Sequence, residues 1–168
     1  ATSLPLSSEP ASSGAGCAGA LYLVATPIGN LSDLSPRVCK VLEEVDSIAC
    51  EDTRVTGRLL AHLGLSKPMV SYREENEVRR TEELTAFLEE GKSVALLSDA
   101  GYPGISDPGF RLVRECRSRR VSVVPIPGPN AAITALAASG MPTHQFLYLG
   151  FLPKKASGAR KTLEEWKD

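Results

Sequence analysis

At 168 residues the chain is the length of one domain, or of one domain with part of another. Apolar residues make up 42% and charged residues 23%, and 19 basic against 20 acidic side chains leave a formal charge of −1, which excludes a global field drawing the chain to nucleic acid or to a membrane surface. No apolar stretch approaches the roughly 20 residues of a spanning helix. Cys17, Cys39, Cys50 and Cys116 form no CxxC pair, and neither His62 nor His144 has a ligand-like neighbour. The reading is a cytoplasmic protein with reduced thiols, no metal and no membrane partner.

Residues 1–20 lack the basic start and apolar core of a signal peptide, and their Ala, Ser, Gly and Pro content predicts a disordered leader or an expression remnant. LYLVAT (21–26) is strand-like. Ser35 and Pro36 then give a cap and first-turn signal for a helix through Val45, with Val38, Val41, Leu42 and Val45 on one face. SIAC (47–50) is a second strand, and Val55, Leu59 and Leu63 mark a helix stopped by Gly64. MVSY (69–72) is a third strand, followed by a helix to Glu90 with Leu84, Phe87 and Leu88 inward and Gly91 at its end.

SVALL (93–97) is a fourth strand and empties into SDAGYPGISDPG (98–109). There Asp107 and Pro108 have the cap-then-proline order that starts a helix, expected to run to about Arg119. VSVVP (121–125) is a fifth strand, IPGPN (126–130) turns into the small-residue helix AAITALAAS, FLYLGFL (146–152) is a further strand, and GARKTLEEWKD begins another helix. Strands interleaved with helices predict βαβ units: a three-layer α/β/α domain over 21–144 with a mainly parallel sheet. Residues 145–168 are then a linker strand and the start of a truncated second domain.

Ligands of open α/β sheets bind beyond the carboxyl ends of the strands. Polar, Gly- or Pro-bearing loops follow all five strands there: 26–35, 51–54, 72–77, 98–109 and 127–130. A phosphate loop is excluded, because Gly104 to Gly109 has the GxxxxG spacing but Phe110 and Arg111 stand where Lys and Ser/Thr are required. The GxGxxG fingerprint is absent as well. What remains is a rim of backbone donors and acceptors, carboxylates and little positive charge, suited to a neutral or cationic ligand carrying ribose hydroxyls and a base. S-adenosylmethionine, a sulfonium, fits that description without being singled out by it.

The phrases VATPIGNLSDLS (24–35), VDSIACEDTRVTGRLL (45–60), SVALLSDAGYPGISDPG (93–109), VVPIPGPNAAITALAASG (123–140) and FLYLGFLPKK (146–155) resemble the tetrapyrrole methylase superfamily, and within it the ribosomal RNA small-subunit methyltransferase I family. The resemblance implies a two-domain, dimeric enzyme that uses S-adenosyl-L-methionine to methylate a cytidine ribose 2′-hydroxyl in 16S rRNA of the small ribosomal subunit. It also implies an amino-terminal five-stranded parallel sheet and a cofactor cleft between the two domains. Carried over by position, Asp99, Ala100, Gly101, Tyr102 and Pro103, with Pro129, Asn130, Ala131 and Ala132, would line the cofactor. Thr26 to Asn30 would face methyl transfer, with Pro27 and Gly29 among the cofactor contacts. The sequence departs from the family where Tyr102 replaces a threonine, Asn130 replaces a serine, and Arg73-Glu74-Glu75-Asn76-Glu77 stands in place of a histidine-bearing loop.

A general base would assist a ribose hydroxyl, and Asn30, Glu51 and Asp52 are candidates on the rim, none assigned. Glu51 to Arg54 reads equally as a carboxylate cap and ion pair opening a helix. RNA contacts are expected from Arg54, Arg58, Arg111, Arg114 and Arg117, the last three on one side of their helix. Two other functions stay open: methylation of a small corrin-type ring, and ligand binding without catalysis.

Overall fold

The computed structural model describes residues 19–166. Five strands, β1 (Ala20–Val24), β2 (Ser47–Cys50), β3 (Met69–Ser71), β4 (Val94–Leu97) and β5 (Ser122–Ile126), form one sheet in the order β3-β2-β4-β1-β5. Every pairing is parallel. The helices between them are α1 (Pro36–Glu44), α2 (Thr53–His62), α3 (Glu77–Glu89) and α4 (Phe110–Ser118), followed by α5 (Ala131–Ala138) and α6 (Ala156–Glu165).

The sheet separates two cores. Val24, Ile48, Cys50, Ala95, Leu97 and Ile126 pack on one face with Val38, Val41 and Leu42 of α1 and Leu60 of α2. Leu21, Ala49, Val94 and Leu96 pack on the other with Leu84 and Leu88 of α3 and Leu112 and Cys116 of α4. Successive residues of β4 thus alternate between the cores, as the two-residue strand period requires, and all four are buried. The chain moves one way along the sheet through α1 and α2, then back through α3 and α4. Right-handed crossovers place the two pairs of helices on opposite faces.

Local chemistry agrees with these elements. Ser35 Oγ accepts from Val38 N at 3.2 Å with Pro36 in the first turn of α1, and Asp52 caps α2. Lys67 Nζ donates to the Glu43 carbonyl and, at 2.9 Å, to that of Val45, covering the end of α1. Asp46 and Ser93 clamp the entries to β2 and β4: the Asp46 carboxylate accepts from Ser93 N at 2.7 Å and Ser93 Oγ at 2.8 Å. These bonds hold the Asp46 carboxyl below its usual pKa.

Three expectations are corrected. Residues 146–152 form no strand and belong to no sheet among the described residues; Phe146, Leu147, Tyr148, Phe151 and Leu152 are exposed. Helix α4 begins at Phe110, not at Asp107–Pro108: its N-cap is Gly109, at φ 148°. A Cβ at Gly109 would lie 3.0 Å from Leu96 Cδ2 and 3.2 Å from Gly104 N, so the loop must fold tightly onto β4 before a helix can start. Residues 1–18 of the expected 1–20 leader lie outside the described residues, and Ala20 already belongs to β1.

Because the folded-state pKa of Asp46 is depressed, its contribution is present above the unfolded carboxylate pKa and lost as pH falls through the folded value. Asp46→Asn is therefore expected to lower unfolding free energy by about 1 kcal/mol at pH 7, the clamp being partly exposed. The difference from the parent should shrink towards zero in acid, measured by urea denaturation at both pH values.

Candidate active site

The loops that follow β1 and β4 leave the sheet towards opposite faces, α1 lying in one core and α4 in the other. Adjacent strands with diverging exits open a crevice, and a pair of main-chain hydrogen bonds fastens it. Thr26 N donates to Gly101 O at 2.9 Å and Gly101 N to Thr26 O at 3.1 Å, an antiparallel bridge at the end of a parallel sheet. Two buried side chains reinforce it: Thr26 Oγ1 donates to Ser98 O and Ser98 Oγ to Gly101 O, each at 3.0 Å. The fifth loop closes on the first at Gly128, where an added Cβ would lie 2.8 Å from Ala25 Cβ.

Beside this bridge is a cavity of about 310 Å³. It brings together Ala100, Gly101 and Tyr102 from the fourth loop and Asn130, Ala131 and Ala132 from the start of α5, six of the residues singled out from sequence. The Asn130 side chain accepts from Ile133 N at 3.0 Å and so caps the helix in the way a serine there would. Ile28, Ile105, Ser106, Asp107, Tyr148, Gly150 and Phe151 complete the walls; of these, all but Ile28 lie outside the site residues expected from sequence, although the family-like phrases contain them. Ser106 holds a left-handed φ of 61°, and its Oγ lies 2.6 Å from Tyr148 Oη, tying residues 146–152 across the mouth.

Other expected site residues lie elsewhere. Pro27 and Asp99 line a second hollow of about 210 Å³ with Thr26, Ser98 and Arg58, and Asp99 Oδ1 accepts from Asp52 N at 3.1 Å. Pro103 is buried, Pro129 half-buried and Gly29 exposed; none of the three lines either space.

The three candidate bases differ in what occupies them. Asn30 is exposed, and its Oδ1 accepts from Ser32 N at 3.0 Å to start a short 3₁₀ turn. Asp52 caps α2 through Arg54 N at 2.8 Å and grips the Arg54 guanidinium at 2.6 Å. These bonds hold its carboxyl far below the usual carboxylate range, which makes it a weak base and settles the cap-and-ion-pair reading for this residue. Glu51 is half-buried; burial, with the charges of Asp99 and Asp107, raises its pKa. Its carbonyl accepts from Arg73 Nε at 2.8 Å. Of the three, Glu51 is the group whose environment favours taking up a proton.

The arginines also separate. Arg54 is held by Asp52, and Arg111 is half-buried, its Nε 3.6 Å from Glu77 Oε2. Arg111, Arg114 and Arg117 therefore do not form the equivalent row that their spacing suggested, because α4 turns its Arg111 side towards α3. Arg58, Arg114 and Arg117 are exposed and make no ion pair among those found in the described residues.

The sequence pattern of the Tetrapyrrole (Corrin/Porphyrin) Methylases matches residues 20–168. The chain belongs to the tetrapyrrole methylase family. Among curated relatives it is 53% identical over 146 residues to the "Ribosomal RNA small subunit methyltransferase I" of Escherichia coli O157:H7, covering 87% of this chain and 51% of that protein. It is 51% identical over 149 residues to the protein of the same name from Halalkalibacterium halodurans, covering 89% of this chain and 52% of that protein. The chain thus spans about half the length of the curated relatives it matches. Among solved structures, uroporphyrin-III-C-methyltransferase from Thermus thermophilus superimposes with a TM-score of 0.58 at 27% identity, over 74% of this chain and 54% of that one. The tetrapyrrole methylase fold is therefore what this chain shares with the uroporphyrin enzyme.

The Gly128 contact has a measurable consequence. Gly128→Ala should lower unfolding free energy by about 1–3 kcal/mol, the range for forcing extra atoms into a packed site. Gly57→Ala, in the middle of α2 with its Cβ 3.7 Å from Met69 Cε, should instead stabilise by up to about 1 kcal/mol through helix propensity. Thermal denaturation of the two variants should show shifts of opposite sign.

Proposed function

We propose that the whole protein is an S-adenosyl-L-methionine-dependent methyltransferase acting on a cytidine ribose 2′-hydroxyl in 16S rRNA of the small ribosomal subunit. The single observation that carries this reading is the cavity beside the Thr26–Gly101 bridge, in a chain about half identical to relatives named for that activity. The rRNA reading is preferred to a corrin-type substrate because those relatives stand at 53% and 51% identity and the uroporphyrin enzyme at 27%.

The cavity's residues fit the cofactor. Ile28, Ile105 and the Tyr102 ring offer apolar walls for a purine, and Ser106 and Asp107 offer acceptors for ribose hydroxyls. The charges of Asp99 and Asp107 act on Glu51, and that of Asp99 acts on Asp107, so three carboxylates lie close enough together to give a field that favours a cation. When bound, the cofactor supplies a methyl group on a positively charged sulfur. The chain's task is then to align an oxygen with that carbon and to exclude water, where orientation alone is worth several kcal/mol. Glu51 is the proposed proton acceptor, since Asp52 is committed to Arg54. The reading also takes the whole protein to be a homodimer, a state supported by the apolar surface that α5 and residues 146–152 leave uncovered.

The test is transfer of labelled methyl groups from S-adenosyl-L-methionine to small ribosomal subunits by the whole protein, with the modified nucleoside identified by mass spectrometry. Labelled 2′-O-methylcytidine supports the reading. Labelling of a corrin-type ring but not of RNA overturns it. Ala131→Trp places an indole in the cavity from an exposed first-turn position. It should weaken cofactor binding at least tenfold by calorimetry while leaving the melting temperature within about 2 °C of the parent.

A further inference from the structure

A second cavity, of about 360 Å³, lies on the far side of the glycine-rich loop. It shares Ser106 and Asp107 with the cofactor cavity, and its remaining walls come from Glu74, Glu77 and the first turn of α4. Its chemistry differs from that of its neighbour. Phe110, at the first position of α4, is 69% exposed, and the Arg114 guanidinium lies 5.6 Å from the centre of its ring. An aromatic ring and an arginine in stacking contact form a platform for a flat π-system. No side chain caps α4, so the N–H groups of its first turn add a place for an anion at the same wall.

The carboxylates sort by partner. Glu77 accepts from Tyr72 Oη at 3.1 Å and faces Arg111, so its charge is offset. Glu74 and Asp107 make no ion pair among those found in the described residues. Asp107 is half-buried and also hydrogen-bonds the Ser98 side chain, while Glu74 is exposed; two carboxylates with no cation beside them favour a ring that donates hydrogen bonds, as an exocyclic amine does. Uracil has no such amine.

We propose that this pocket receives an unpaired nucleotide of the substrate RNA, its base stacked on Phe110 and Arg114 and its exocyclic amine donating to Glu74 or Asp107. The proposal rests on the reading of the whole protein as an RNA methyltransferase. It adds a subsite that reads base identity beside the cofactor cavity, with Ser106 and Asp107 as the shared wall between a flanking nucleotide and the reacting one.

The experiment uses the whole protein and two probes, fluorescently labelled single-stranded oligocytidylate and oligouridylate, with methyl transfer to small ribosomal subunits measured in parallel. The parent should bind oligocytidylate more tightly. Phe110→Ala should weaken that binding roughly tenfold, the effect of losing one base–aromatic stack, and Phe110→Tyr should restore it. Asp107→Asn combined with Glu74→Gln should narrow the preference for cytidine over uridine, and Arg114→Gln should weaken both probes and flatten the salt dependence. Cofactor affinity of the Phe110 variants should stay at the parental value. If Phe110→Ala binds oligocytidylate as the parent does while the parent methylates subunits, the pocket is not a nucleotide subsite. If the parent methylates no RNA, the functional reading itself falls, and this subsite with it.

Discussion

Five short strands running the same way impose one constraint on everything else in this chain. A parallel strand cannot be reached by a tight turn, so each return needs a crossover helix, and every loop leaving a carboxyl end emerges on the same edge of the sheet. Loops scattered over about a hundred residues of sequence are thereby gathered on one rim. The central strands β2 and β4 are buried on both faces, so β4 reads as an uninterrupted apolar run. The rim is instead rich in glycine, proline, serine and aspartate.

Gathering the loops does not by itself make a site; they must also be held in register with one another. The Thr26–Gly101 bridge does so with main-chain atoms, which substitutions of surface side chains leave in place. Thr26 and Ser98 are buried polar residues whose hydroxyls complete the same knot. A satisfied buried network of this kind is rigid because each broken bond strands a partner away from water. The two cavities on either side of the glycine-rich loop inherit that rigidity, since the loop contributes Ser106 and Asp107 to both.

The sequence made the layer order and most of the strands legible, because a buried parallel sheet leaves apolar runs separated by helical periods. It also showed the cofactor loops, as punctuation where punctuation is costly. Residues 146–152 misled because alternating aromatic and apolar residues describe any surface that awaits cover, and a strand needs a neighbour that the pattern does not reveal. The start of α4 was misplaced because Asp107–Pro108 is a sound local signal, overridden by the close approach of Gly109 to Leu96 and Gly104. Helical spacing groups Arg111 with Arg114 and Arg117, because it does not report that Glu77 of α3 stands opposite Arg111. Asp52 and Glu51 are adjacent carboxylates in sequence, and only the fold shows one gripped by arginine and the other left half-buried.

One further consequence lies at the outer edge of the sheet. β5 pairs with β1 alone, and its fourth residue is Pro125, opposite Leu23. Proline has no N–H to offer a newcomer, and its ring stiffens the strand that carries it. Nascent chains crowded on a ribosome, or partly unfolded molecules at high concentration, tend to zip together along open sheet margins. At this margin the zipper is missing a tooth, so the exposed flank of the domain is poorly suited to template a fibre.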